Sequence, residues 1–316
     1  MSNHKTVKWT LHKILKIAQN INMKKLLSIF LSLTLFAVGL GMICSPLSGE
    51  KVWAENSSPK MAIIIDDFGG YDQSGVETML KVDAPLTCAV MPNLENSEKN
   101  SQQILDSGKE VILHMPMQAH VSLPLSWYGP NYICTGDSKE IVNQKISKAL
   151  ETVKGAKGFN IHIGSGVCQD AQTMSHIYDY ASEHNLFFVD SRTHINTQCA
   201  KVANEKHILY LGRDEFLEPG GNKSYEGVFR HIMAGAEMAK TKGHAIIIGH
   251  VGSHGGENTA KAISDAVKNV KDMGIEIVPM SELANSLKQA NGQKQVWNSS
   301  TKKNTKIWCS LFLFLK

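Results

Sequence analysis

The chain has 316 residues, of which 42% are hydrophobic and 20% are charged, an ordinary globular composition with enough length for one large domain or two small ones. The formal net charge of +4 comes largely from lysines in the two tails. Because the body is close to neutral, composition gives no case for a nucleic-acid partner.

The N-terminal segment has the order of a secretory signal. Residues 26–43 contain no charged side chain and directly follow Lys24 and Lys25. Val52-Trp53-Ala54 resembles a small-x-small cleavage site, which would make Glu55 the first mature residue. The apolar stretch is also near the lower limit for crossing a bilayer, so an uncleaved N-terminal membrane anchor is the alternative. Either way, we expect the body to lie outside the cytoplasm, secreted or associated with the cell envelope.

The remaining chain divides by composition. We expect residues 1–54 to be an N-terminal extension with the signal or anchor, residues 55–60 a linker, residues 61–290 one domain, and residues 291–316 a polar and short apolar tail. The tail's apolar end is too short to span a membrane. The body's cysteines form no C-x-x-C pair or metal-type spacing, so we interpret them as structural: Cys88, Cys134, Cys168 and Cys199.

Within the body, short apolar runs alternate with longer amphipathic segments. The runs predict strands at Met61–Asp66, Leu86–Met91, Glu110–His114, Gly158–His162, Leu186–Asp190, His207–Leu211, Ala245–Gly249 and Ile275–Pro279. The segments between them predict helices that include Glu95–Ser107, Ser138–Val153, Ala171–His184, Tyr225–Lys240 and Thr259–Met273. This alternation predicts a parallel sheet covered by helices, and seven or eight units over about 225 residues match a single α/β barrel.

Polar residues stand at or just beyond the C-terminal ends of these predicted strands. They are Asp66 and Asp67, His114, His162, Asp190 with Arg192, Arg213 with Asp214, and His250. In a parallel α/β fold that edge is where active sites are built. The longest connection, Met115–Asp137, also leaves this edge and contains Trp127 and Tyr128, whose rings would suit stacking on a sugar. A loop packed by its own aromatic residues is the alternative.

The adjacent carboxylates of Asp66 and Asp67 end an apolar run, where a bound metal would neutralise them and a helix N-cap is the alternative. Asp67, His114 and His162 offer one carboxylate and two imidazoles from three strand ends. Three protein ligands with an open position are typical of a catalytic metal site. Asp66 is then placed to act as a general base, and His250 to protonate a leaving amine.

Several neighbouring groups have two interpretations. Arg192 either orients a catalytic carboxylate or forms a structural salt bridge with Asp190, and the same holds for Arg213 and Asp214. Ser165 lies between Gly164 and Gly166, whose backbone amides face an oxyanion or serve only a turn.

Six ordered blocks resemble the divergent polysaccharide deacetylases, relatives of the NodB-like chitooligosaccharide deacetylases. The blocks are Ile65-Asp66-Asp67-Phe68-Gly69, Gly108 to Met117, Asn160 to Ser165, Val189 to Thr193, Arg213 to Leu217, and Ala245 to His250. The resemblance spans about residues 61–283. It implies a distorted (β/α) barrel of seven or eight units, NodB-like and forming a single domain.

The resemblance also implies a chemistry: a hydrolase that uses a divalent metal, expected to be zinc, on the N-acetyl groups of a polysaccharide or oligosaccharide. In such enzymes the first Asp of the pair is the general base and the second binds metal. The resemblance therefore implies that Asp66 is the base, that Asp67 binds the metal and that His250 is the general acid. The family's His-x-x-x-His motif carries over only in its first half, His114. Gln118 occupies the place of the second histidine, so we assign His162 as the other imidazole ligand on geometric grounds.

Two rival functions remain open at this point. One is a non-catalytic envelope protein that binds a glycan or a partner on the same fold, and Gln118 favours it. The intact Asp66-Asp67, His162 and His250 set counts against it. The other is a metal hydrolase that cleaves a different amide or an ester.

Overall fold

The structure is a computed structural model that describes residues 58–291. The predicted signal or anchor and the C-terminal tail lie outside these residues. None of the helices found between residues 58 and 291 combines the length and the apolar character needed to cross a membrane.

Eight strands and seven well-defined α-helices alternate within residues 58–291. The strands are β1 Lys60–Phe68, β2 Thr87–Val90, β3 Glu110–Met117, β4 Gly158–Ile163, β5 Phe187–Val189, β6 Glu215–Phe216, β7 His244–His250 and β8 Glu276–Ile277. The helices are α1 Val76–Leu80, α2 Ser97–Asp106, α3 Lys139–Leu150, α4 Ala171–Glu183, α5 Cys199–Glu205, α6 Tyr225–Lys242 and α7 Gly256–Asp272. Residues 280–291 are also helical.

Local sequence signals explain several helix ends. The Asp170 side chain accepts a hydrogen bond from the amide of Gln172 at the start of α4, and the Ser224 hydroxyl accepts one from Gly227 at the start of α6. Helix α6 ends at Gly243, whose φ of 85° lies in the left-handed region that glycine adopts without strain.

All strand pairs are parallel, and the sheet order is β5-β4-β3-β2-β1-β7-β6, with β8 also pairing with β1. An isolated parallel bridge between Asp190 and Gly212 joins the end of β5 to the segment before β6. The two edges of the sheet therefore meet through this bridge. The predicted single, distorted (β/α) barrel is confirmed.

The period-two alternation of the strands separates an outer core from an inner one. Side chains on one face, including Ala62, Ile64, Ile112 and Ile248, form the inner apolar cluster with residues of the final helix. That helix covers the end opposite the site, where the amide of Met280 donates to the Thr87 hydroxyl near the start of β2. Toward the C-terminal edge of the sheet, the inward-facing positions carry polar side chains instead of apolar ones.

The prediction of a strand at His207–Leu211 is wrong, because the strand here is Glu215–Phe216. The alternation in the earlier segment is real: Ile208 and Tyr210 pack on the outer core, and Leu209 and Leu211 on the inner one. Near its end the segment makes only local contacts with β5, such as the bond from the amide of Asp190 to the carbonyl of Leu211. Because alternate side chains of this segment are buried on opposite faces, its sequence resembles a strand although no neighbouring strand pairs with it continuously.

Two further comparisons with the sequence concern the lengths of elements, which differ, and the cysteines, which agree. Strand β3 continues three residues beyond the predicted end at His114, and the short helices α1 and α5 were not predicted. The cysteines among residues 58–291 are free, and Cys88, Cys168 and Cys199 are buried, in line with a structural role.

Candidate active site

A bulge in β1 brings two adjacent carboxylates to one side of the strand. Neighbouring side chains in a regular strand point to opposite faces. The register of β1 against β2 shifts between Ile65 and Phe68, and Asp67 has a φ of 68°. Aspartate tolerates this left-handed conformation better than most residues. The bulge therefore places Asp67 beside Asp66 at the C-terminal edge of the barrel.

Asp67 meets two histidines that come from neighbouring strands. His114 lies on β3 and His162 on β4, and one ligand atom from each of the three residues lies within 4.8 Å of the other two. Asp67 Oδ1 is 3.4 Å from His114 Nε2 and 3.3 Å from His162 Nδ1. The structure thus brings together the three residues predicted to bind metal.

The outer hydrogen bonds of the two imidazoles fix which nitrogens face each other. Asn160 donates from Nδ2 to Asp66 Oδ1 at 2.7 Å, so its Oδ1 accepts from His114 Nδ1, also at 2.7 Å. His162 Nε2 lies 3.1 Å from the carbonyl of Trp127, which can only accept. In neutral rings, the lone pairs of His114 Nε2 and His162 Nδ1 then converge at 3.0 Å beside Asp67.

Three converging acceptors need a cation or a proton between them. Two imidazoles and one carboxylate are a donor set that zinc accepts, so these residues fit a divalent metal. Burial would lower the pKa of His114, but the nearby charges of Asp66 and Asp67 outweigh it and raise the pKa above its usual value. The same negative charges that favour a proton on His114 would attract a metal ion.

The two aspartates differ in their electrostatic surroundings. Burial raises the pKa of Asp66, only partly offset by His114, His250 and the bond from Asn160. Burial acts in the same direction on Asp67, but contacts with His114, His162 and His254 hold its pKa well below the usual range. Asp67 is therefore suited to remain a ligand, and Asp66 to accept a proton.

His250 ends β7 directly beside Asp66 in the strand register and is held by a buried carboxylate. Glu218 Oε2 lies 3.1 Å from His250 Nδ1, while Oε1 accepts from the amide of His250 and from the hydroxyl of Thr259. Burial would lower the pKa of His250, but the Glu218 bond and the charges of Asp67 and Asp66 raise it to about 9. The Glu218 contact therefore favours the protonated form of this imidazole.

A second histidine follows on the same loop. His254 lies in the turn Gly252–His254, and its Nδ1 is 3.1 Å from Asp67 Oδ2. Its side chain is 69% exposed, unlike those of His114 and His162. His254 therefore contacts the cluster from the solvent side.

The side chains of Gln118 and Ser165 form hydrogen bonds with residues outside the cluster. The Gln118 side chain accepts from the amide of Thr135, and the Ser165 hydroxyl accepts from the amide of His120 and lies 2.9 Å from its Nδ1. The amides of Gly164 and Gly166 donate to the carbonyls of Met117 and Gln118. Those two amides are therefore used in bonds to the end of β3 and the residue after it, so the alternative of an oxyanion contact does not apply to them.

The predicted pairs Asp190–Arg192 and Arg213–Asp214 are not ion pairs. Asp190 is fully buried and accepts from the Arg192 amide, the Thr197 hydroxyl and the Tyr210 hydroxyl. Asp214 accepts from the amide of Ile246 and pairs with Lys242, well before His250 along β7. Asp214 is thus a structural residue away from the cluster, whereas Arg213 extends toward it.

The aromatic loop divides into a structural and an exposed residue. Tyr128 is buried, stacks on Tyr132 and accepts from the amide of Ala119 through its hydroxyl. The Trp127 side chain is 58% exposed, although its carbonyl contacts His162. The packing alternative applies to Tyr128, and Trp127 remains the candidate for sugar contact.

Sequence reasoning missed Asn160 and Glu218. Asn160 precedes His162 by two residues on β4, so the period of the strand could have placed it on the same face. Glu218 lies beyond the short strand β6, in a loop whose position no local pattern defines.

These features define a parallel α/β barrel with a two-histidine, one-aspartate cluster at its C-terminal edge. The family model described as divergent polysaccharide deacetylase matches residues 63–284, more than two thirds of the chain. The chain belongs to that family.

Among relatives, an uncharacterised protein of Haemophilus influenzae is 29% identical over 224 residues, which are 71% of this chain and 76% of that protein. The uncharacterised protein YibQ of Escherichia coli is 29% identical over 191 residues, 60% of this chain and 58% of YibQ. A crystal structure of an uncharacterised protein from Agrobacterium tumefaciens C58 superimposes with a TM-score of 0.65 at 18% identity. That match covers 73% of this chain and 91% of the other and shows a shared fold.

Proposed function

We propose that the protein is a metal-dependent hydrolase that removes N-acetyl groups from an extracytoplasmic polysaccharide or oligosaccharide. The observation that carries this proposal is the convergence of Asp67, His114 and His162 beside the buried Asp66 carboxyl group and His250, whose ring contacts Glu218. Family membership supports the reaction class. The charge-free stretch 26–43 after two lysines supports a location outside the cytoplasm.

Asp66 and His250 divide the proton transfers of amide hydrolysis between them. A divalent cation held by Asp67, His114 and His162 would polarise the acetyl carbonyl and lower the pKa of a nearby water molecule. As water attacks the carbonyl carbon, Asp66 accepts its proton. His250, protonated through its contact with Glu218, donates a proton to the amide nitrogen as the C–N bond breaks. The products are acetate and a free amine on the sugar.

Acetate release by the full-length protein, purified with zinc, tests this proposal on several N-acetylated oligosaccharides and on a simple acetyl ester. Asp66→Asn and His250→Ala should each lower kcat by roughly a hundredfold or more, since each removes one proton-transfer group. His250→Ala should keep its metal, because His250 is not among the proposed ligands. Unchanged turnover in both variants would refute the mechanism, and ester cleavage alone would change the bond assigned.

The rival function is glycan binding without catalysis. Its support is Gln118, which stands where the family motif has a histidine and whose side chain bonds to the loop amide of Thr135. Tight binding of an N-acetylated oligosaccharide by a zinc-loaded protein that releases no acetate would favour this function.

A further inference from the structure

Arginine is rare in this chain and concentrated at the candidate site. Of the 33 lysine and arginine residues, only three are arginines: Arg192, Arg213 and Arg230. Arg192 follows β5 and Arg213 precedes β6, and the two are adjacent in space, since an Nη of Arg213 donates to the carbonyl of Arg192 at 3.2 Å. A guanidinium group binds planar anions through paired hydrogen bonds, which an ammonium group cannot do.

Arg213 is held close to the proposed general acid. Its Nε donates to the carbonyl of Ser191 at 2.7 Å, and its Cζ lies 4.8 Å from the centre of the Phe216 ring. The edge of the same ring packs against His250, with 5.1 Å between ring centroids. The Phe216 ring therefore contacts both the Arg213 guanidinium and His250, the proposed general acid.

Arg192 is also positioned by specific contacts. Its backbone has a φ of 50°, a conformation unusual for arginine, and its amide is anchored on Asp190 Oδ1 at 2.8 Å. Its Nε donates to the hydroxyl of Tyr210 at 3.2 Å, and the residue is exposed. Arg192 is therefore more exposed than Arg213, and its charge is near enough to lower the pKa of Arg213.

Among the described residues, neither guanidinium has a carboxylate partner. Within residues 58–291, no Asp or Glu oxygen lies within 4.0 Å of either one. The neighbouring carboxylates are engaged elsewhere: Asp190 with Tyr210 and Thr197, Asp214 with Lys242, Glu215 with His231, and Asp66 with Asn160. Burial and the charge of Arg192 lower the pKa of Arg213, as expected for a cation that lacks a direct partner.

Most of the donor capacity of the pair is unused. Each guanidinium carries five N–H groups, of which Arg213 uses two and Arg192 one in hydrogen bonds with described residues. We propose that Arg192 and Arg213 together bind an anionic group on the glycan, a carboxylate or a phosphate near the N-acetylated sugar. The substrate class is then an acidic glycan rather than a neutral one, an inference that rests on the proposed hydrolase function.

The test compares three N-acetylated oligosaccharides of equal length: one neutral, one containing a uronic acid and one carrying a phosphate. With the full-length zinc-loaded protein, kcat/KM for one or both acidic substrates should exceed that for the neutral one. The acidic substrate with the higher kcat/KM identifies the preferred anion, a carboxylate or a phosphate. Increasing the salt concentration should lower kcat/KM for the acidic substrates but not for the neutral one. Salt screens the attraction between the partly exposed arginines and the anion of the substrate.

Arg192→Gln and Arg213→Gln should each raise KM for the acidic substrate roughly ten- to a hundredfold, the range for a charged hydrogen bond, and change the neutral substrate little. Arg230→Gln, an exposed arginine on α6, is the matched control and should change neither. If Arg213→Gln lowers zinc content or thermal stability, Arg192→Gln alone decides the result. An equal loss on neutral and acidic substrates, or no acidic preference in the unmodified protein, would overturn the inference.

A binding measurement separates this inference from the proposed function. If no substrate releases acetate, titration calorimetry with the same three oligosaccharides still applies. Tighter binding of an acidic oligosaccharide that is lost in Arg192→Gln would leave the acidic-glycan inference standing while the hydrolase function fails. Acetate release without acidic preference would give the opposite result.

Discussion

His114 Nε2 lies 3.0 Å from His162 Nδ1, while the other nitrogen of each ring is directed at an oxygen. This arrangement is unfavourable for two neutral imidazoles alone, because two lone pairs then face each other next to Asp67. A positive species between them resolves the conflict. The facing nitrogens therefore give a physical reason to expect metal binding that is independent of any similarity to other proteins.

The first prediction concerns metal content. The purified full-length protein should bind about one zinc ion, and His114→Ala or His162→Ala should abolish tight binding because each removes one of three ligands. Zinc at a hundred to a thousand times its Kd should stabilise the unmodified protein by about 3 to 4 kcal/mol, visible as a higher Tm. The control His176→Ala, on helix α4, should retain both zinc and the shift. Full zinc retention in both site variants would contradict the assigned ligands.

The second prediction concerns the pair Glu218–His250. In Glu218→Gln the negative partner is lost, so the pKa of His250 should fall from about 9 toward the ordinary histidine value. NMR titration of the ring in the metal-free protein measures this change directly. In the enzyme, the alkaline limit of kcat should move to lower pH, since the proton donor is lost earlier. The control Glu237→Gln on the exposed side of α6 should leave the titration unchanged.

The same pair affects stability with a definite sign. Since the folded pKa of His250 is raised, the stabilisation is fully present below about pH 6.5 and is lost as the pH rises through about 9. Its upper size is about 3 kcal/mol. Glu218→Gln should flatten this part of the metal-free stability curve, as followed by urea unfolding at several pH values. An unchanged slope between pH 6.5 and 9 would show that Glu218 does not hold the proton on His250.

The third prediction concerns Asn160, which donates to Asp66 and accepts from His114 in a fully buried position. Asn160→Asp keeps the shape but places a carboxylate oxygen against Asp66 Oδ1. The two groups should share a proton, raising the pKa of Asp66 further. The variant should therefore lose stability as the pH rises above about 4 and recover on acidification. Urea unfolding at pH 4 and pH 7 measures this, with exposed Asn269→Asp as the control. Equal destabilisation at both pH values would exclude the shared proton.

Much of the fold and site follows from periodicity. Ala62, Ile64 and Asp66 alternate on one face of β1, so a polar residue at the end of an inward-facing apolar series predicts a site inside the barrel mouth. The same rule applied to β3 places His114 above Ile112. Alternation and the common edge of parallel strands were therefore sufficient to place Asp66 and His114 at the same site.

What could not be predicted depends on backbone irregularity and distant contacts. The position of Asp67 requires a bulge and a positive φ, which two adjacent aspartates alone do not specify. Glu218 reaches His250 across 32 residues of sequence from a loop after a two-residue strand. The segment 207–211 shows the converse, since burial on both faces imitated a strand although only the adjacent Gly212 forms an isolated bridge.

The last prediction concerns Trp127, whose backbone and side chain have separable roles. Its carbonyl orients His162, while its exposed indole is free to stack on a sugar ring near the cluster. Trp127→Ala keeps the carbonyl, so zinc content should stay unchanged while KM for an N-acetylated oligosaccharide rises about three- to tenfold, the range for one aromatic contact. Leu125→Ala, two residues away and 69% exposed, is the matched control for loss of an apolar side chain from the same loop. A fall in kcat with loss of zinc would instead assign Trp127 to the support of His162, whereas an equal rise in KM for both variants would indicate a general apolar contact rather than stacking.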